Sequence, residues 1–157
     1  MTLVASKPTV TVSSTQGAQL VLGAENKVGE MTVSADANGK ISVVSTVFNL
    51  SATNVGSPVF SAGRIADGNT TISNSSVSIA GNVATATFSP SYEISAGQSK
   101  TFSLYAVVNG SAGTITPYVA SSLSSSGFQW RDVIGGGTLF SGTSIINFPT
   151  NSYTTSR

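Results

Sequence analysis

Glu25, Glu30, Asp36, Asp67, Glu93 and Asp132 are the only acidic side chains in this chain of 157 residues, which has no His and no Cys. Imidazole acid–base catalysis, thiolate nucleophiles and nitrogen or sulfur metal sites are therefore out of reach. Carboxylate chemistry remains. A glycoside hydrolase needs two converging carboxyl groups, and a calcium ion needs several closely spaced oxygen ligands. No Asp-x-Asp or Asp-x-Asn-x-Asp-Gly run occurs, so a calcium site would have to draw on Glu25 with Asn26, on Glu30, or on Asp132. The simpler reading makes the carboxylates turn and edge polarity that keeps strands soluble. On that reading no metal and no cofactor is expected.

The only Trp lies in Phe128-Gln129-Trp130-Arg131-Asp132. An exposed Trp130, with Tyr118 or Tyr153, could stack on a sugar ring as in carbohydrate-binding modules. Alternation instead puts Phe128 and Trp130 on one face of a strand, which favours the core, with the indole N–H expected to find a partner. Gly135-Gly136-Gly137 lacks the Lys-Ser/Thr of a phosphate loop and reads as a flexible break. Lys7, Lys27, Lys40 or Lys100 could form an isopeptide cross-link with Asn49 or Asn147. The alternative is that these lysines discourage pairing at strand edges.

The background to these residues is unusual. The chain holds 28 Ser and 19 Thr, only 8% of residues are charged, and the net charge is +1. The seven Lys and Arg are scattered, so there is no electrostatic footprint for nucleic acid. At 39% hydrophobic residues the chain can build a core, and its length suits one domain spanning residues 1–157. Hydroxyl-rich, lysine-poor composition points to an exported protein. Residues 1–5 lead straight to Lys7-Pro8 with no basic, apolar leader, which suggests a segment of a longer exported chain. No window approaches the roughly 18 apolar residues of a membrane helix, so no membrane insertion of this segment is expected.

Alternation with a period of two, broken by Gly, Asn and Pro, predicts short strands throughout. They fall at residues 9–14, 18–22, 29–35, 41–50, 76–79, 83–88, 100–108, 114–121, 128–133 and 144–148, with an edge strand near 59–65. Asp36-Ala37-Asn38-Gly39 predicts a hairpin turn with positive φ. On residues 41–50 the set Val44, Thr46, Phe48 and Leu50 is assigned to the core, and Pro90 is expected to stop its strand. In residues 100–108, Phe102, Leu104 and Ala106 should point inward, with Ser103 on an exposed face. Residues 1–8 and 150–157 read as flexible ends or linkers. The sum is all-β: an antiparallel two-sheet β-sandwich, immunoglobulin-like or jelly-roll-like. Its core should include Val33, Val44, Phe48, Phe88, Phe102, Leu104, Val119 and Trp130.

Four segments are similar to a known kind of module. They are Gly29-Glu30-Met31-Thr32-Val33-Ser34-Ala35, then Glu93-Ile94-Ser95-Ala96-Gly97-Gln98-Ser99-Lys100-Thr101-Phe102-Ser103-Leu104, then Phe128 to Val133 with the closing Phe148-Pro149-Thr150-Asn151-Ser152. Together they resemble uncharacterised immunoglobulin-like β-sandwich modules of bacterial multidomain surface proteins, of adhesin or S-layer type. The resemblance implies an extracellular, non-enzymatic structural or adhesive role and supplies no catalytic residues. Its partners would be neighbouring domains or subunits of a surface assembly, or a glycan or protein ligand. Two other roles stay open: a carbohydrate-binding module using exposed aromatics, and a filament or pilus subunit that donates residues 1–15 to a neighbour's sheet.

Overall fold

The computed structural model describes residues 6–133 and 137–157. Residues 1–5 and the Gly135-Gly136 part of the expected break lie outside them. The strands run β1 (Pro8–Thr11), β2 (Glu25–Ala35), β3 (Ile41–Thr53), β4 (Val55–Asp67), β5 (Thr70–Thr71), β6 (Ser75–Ala80), β7 (Val83–Ile94), β8 (Ser99–Ala112), β9 (Tyr118–Leu123), β10 (Gln129–Asp132), β11 (Leu139–Ser141) and β12 (Ser152–Thr154). One sheet has the order β1-β2-β8-β4-β5, and the other β11-β10-β3-β7-β6, with β9 also on β3 and β12 on β9. Every named strand pair is antiparallel. The chain is an all-β, two-sheet sandwich.

Its core lies between the sheets. From the first come Met31, Val33, Ile65, Phe102, Leu104, Ala106 and Val108; from the second come Phe48, Leu50, Ala84, Ala86, Phe88, Val119 and Trp130, all buried. Strand β8 follows its alternation, with Phe102, Leu104, Ala106 and Val108 fully inward. Ser103 differs from expectation. It is buried on the opposite face, its hydroxyl 3.5 Å from Oε2 of Glu30, the residue across from it on β2.

Several local expectations give way to tertiary pairing. Asp36 to Gly39 is no hairpin turn, since β2 and β3 lie in different sheets. The Asp36 carboxylate accepts the Asn38 amide at 2.8 Å, an Asx turn that carries the chain across the sandwich edge. In β3 a register shift between Val43 and Ser45 swaps faces. Ile41 and Val43 point inward before it and Thr46, Phe48 and Leu50 after it, which leaves Val44 half-exposed rather than in the core. One extra residue in a strand inverts the faces of everything beyond it.

Pro90 does not end its strand. β7 continues through it, and Tyr92 and Ile94 pair with Val43 and Ile41. β4 is longer than the edge strand expected near 59–65, but it pairs with β8 alone until Ala66 and Asp67 meet β5; it has two irregularities, at Gly56/Val59 and Ser61/Arg64, where Ser57 and Ala62 take positive φ. The strand expected at 144–148 is instead a 3-10 turn, Gly142–Ser144, with irregular chain after it. The C-terminal segment, expected to be a flexible linker, holds β12 with Tyr153 and Thr155 buried. At the other end Pro8–Thr11 is paired with β2 of its own chain, at the edge of the first sheet.

Candidate functional site

The two ends of the chain meet along one edge of the sandwich. Gly17 N–H donates to Thr154 O at 2.8 Å, and Ser156 N–H donates to Ala18 O at 3.1 Å, within a parallel bridge of Gln19 to Ser156. On its other side the last segment is tied to β9. Thr155 N–H donates to Val119 O and Val119 N–H donates to Thr155 Oγ1, both at 2.9 Å. Asn151 Nδ2 donates to Val12 O at 2.9 Å and extends the seam. Tyr153 is 2% exposed, and its hydroxyl has no hydrogen-bond partner among the described residues.

Beside this seam a cleft of about 460 Å³ opens between residues 17–21, the start of β2 and Tyr105 of β8. Gln19, Glu25, Lys27, Tyr105 and Tyr153 line it. Its charges cancel locally. Arg64 grips Glu25 with two bonds, Nη2 to Oε1 at 2.7 Å and Nε to Oε2 at 2.9 Å, and lies 4.2 Å over the Tyr105 ring. That hydrogen-bonded pairing holds the Glu25 carboxyl below its ordinary value. Lys27 is ion-paired to Glu30 and sits 5.5 Å over the Tyr153 ring. Burial works against its charge, but the Glu30 partner prevails and its pKa is raised.

Burial pushes the Tyr153 phenol above the ordinary tyrosine value. Above about pH 10 the unfolded chain would release this proton while the folded chain keeps it, so folding binds protons and stability falls with rising pH. Urea midpoints measured from pH 9 to 11 are expected to decline, and Tyr153→Phe should flatten part of that decline. An identical decline in the variant would place the Tyr153 hydroxyl in solvent.

The calcium candidates are not brought together. Glu25 and Glu30 lie on β2, each facing its own cation, whereas Asp132 is buried at the end of β10 in the other sheet. Among the described residues no group of three or more acidic side chains could hold a metal ion. Addition of EDTA is expected to leave the melting temperature unchanged. A fall of about ten degrees would reveal a bound cation that stabilises the fold.

The aromatic candidates separate in the same way. Trp130 is 1% exposed and stacks on Phe140 at 4.8 Å, while Phe128 packs on Phe148 at 5.8 Å. Burial follows the alternation, but the indole N–H has no partner among the described residues, contrary to expectation. Tyr118 is half-buried under Arg157, whose guanidinium lies 4.5 Å over its ring. Trp130, Tyr118 and Tyr153 therefore form no common platform: the first is sealed, the second is covered by a cation and the third is built into the seam. Lys27, Lys40 and Lys100 are ion-paired to Glu30, Glu93 and Asp67, and Asn49 and Asn147 are exposed, so the buried Lys–Asn contact a cross-link needs is not formed by these residues. The seam itself was not foreseen; only the Tyr153/Thr155 alternation hints at a terminal strand.

No protein-family model and no curated protein sequence matches the chain. Among solved structures it is similar to a crystal structure of a DUF4466 family protein from Parabacteroides merdae, at 11% identity and a TM-score of 0.35. The match covers 96% of this chain and spans about 45% of that one.

Proposed function

We propose that the chain is a non-enzymatic structural module of a cell-surface protein, in the style of the bacterial surface sandwiches it resembles. The observation that carries this reading is the seam: residues from both ends of the chain are built into the same edge of a hydrogen-bonded scaffold. The chemistry of the side chains agrees. Glu25, Glu30, Asp67 and Glu93 each face a Lys or Arg, which leaves them poorly placed to act as acid and base on a substrate. With Trp130 and Phe128 in the core, a sugar-stacking role loses its best side chains.

The test is topological. Intact cells of the source organism, treated with an antibody raised against this chain, are expected to label at the surface, and added protease should remove the label. Labelling that appears only after the cells are broken open would rule the reading out.

A further inference from the structure

We propose that the terminal seam is a shear clamp, and that the domain bears tension along the line joining its two ends. Val12, Gly17 and Ala18 are bonded in turn to Asn151, Thr154 and Ser156. Residues 12–19 therefore run alongside residues 151–156 in the same direction, as the parallel bridge of Gln19 to Ser156 requires. In parallel neighbours the chain enters at one end of the strand axis and leaves at the other. A pull on the two ends drags these segments in opposite directions along their common axis. All the cross-bonds are then loaded together, whereas a pull across the strands opens a ladder one rung at a time.

Both partners of the seam are anchored behind it. Upstream, β1 is paired to β2 along four residues, with Pro8 opposite Ala35. Downstream, residues 152–155 are tied to β9, which is itself paired along its whole length to β3 in the middle of the second sheet. The seam also carries a side-chain detent. A Cβ built on Gly17 would lie 2.7 Å from Tyr153 Cζ, so the backbone of the first segment rests directly on the buried ring of the last. Sliding one past the other must lift Tyr153 from its site. The physiological load rests on the reading of the chain as a structural module; the clamp itself does not.

The test is single-molecule force spectroscopy on the full chain in two geometries. Because the chain has no cysteine, an engineered thiol gives a unique attachment point. The first geometry pulls from the two termini. The second pulls from the C-terminus and from Ile115→Cys, an exposed site just before β9, which peels β12 from β9 from one end. At one loading rate the end-to-end rupture force is expected to exceed the peeling force by about threefold or more, since forced unfolding reads the barrier along the pulled coordinate. Asn151→Ala, which removes the Val12 bond, should lower the first force and leave the second unchanged. Equal forces in the two geometries would overturn the clamp, whatever the cell-labelling result; a strong clamp in a protein absent from the cell surface would overturn only the surface reading.

Discussion

Replacing Phe102 with Ala is expected to destabilise the fold by about 3–5 kcal/mol. Phe102 is fully buried at the middle of an aromatic cluster, its ring centroid 5.3 Å from Phe88 and 5.1 Å from Tyr92. Removal of the ring strips contacts from both sheets at once, because Phe102 belongs to β8 whereas Phe88 and Tyr92 belong to β7. The packed strands around it leave little room for collapse, so the cavity persists. Urea denaturation at constant m-value reads the loss directly. If the variant is too unstable to study, Phe102→Leu keeps much of the volume and should show a smaller loss of the same sign. Ser76→Ala, on the exposed face of the edge strand β6, serves as the control and should stay within about 0.5 kcal/mol. A Phe102 effect no larger than that of the control would remove Phe102 from the core.

Gly17→Ala is the second substitution with a large expected effect, about 1–3 kcal/mol from overpacking. The new methyl would fall within forbidden contact of Tyr153 Oη as well as 2.7 Å from Cζ, so either the seam opens or the ring leaves its pocket. Tyr153→Phe alone should be neutral or stabilising, because it removes a buried hydroxyl without a hydrogen-bond partner among the described residues. In the double variant the phenylalanine should relieve part of the Gly17→Ala penalty. A double-mutant cycle on the unfolding free energy measures this coupling. Strict additivity of the two changes would mean that Gly17 does not rest on Tyr153.

Sequence alternation located most strands, and of the eight core residues it named all but Val44 are buried, because period two survives wherever a strand keeps one face inward. In β8 the inward set Phe102, Leu104, Ala106 and Val108 held, whereas Ser103, expected to be exposed, is buried. Alternation failed where a bulge inverted the faces, as at Val43/Ser45, since a single inserted residue leaves no mark in composition. Turn residues were legible as turns but not as destinations. Gly81-Asn82 joins partners in one sheet, whereas Asn38-Gly39 joins strands in different sheets, and only the distant pairing of β2 with β8 decides between them. The seam was the least legible feature, because a short run such as Ser152–Thr154 has no pattern of its own strong enough to predict a strand. Its place is set by β9 on one side and by residues 17–18, from the opposite end of the chain, on the other.

The position of that last strand also sets an order of assembly. β12 fills the space between residues 17–19 and β9, so the first segment has no lateral partner there until residues 151–156 have been synthesised. Contacts that join the two extremes of a chain carry the greatest loop-closure cost and tend to make folding slow. The edge formed by residues 12–19 is therefore completed only by the residues of this stretch that come last in sequence.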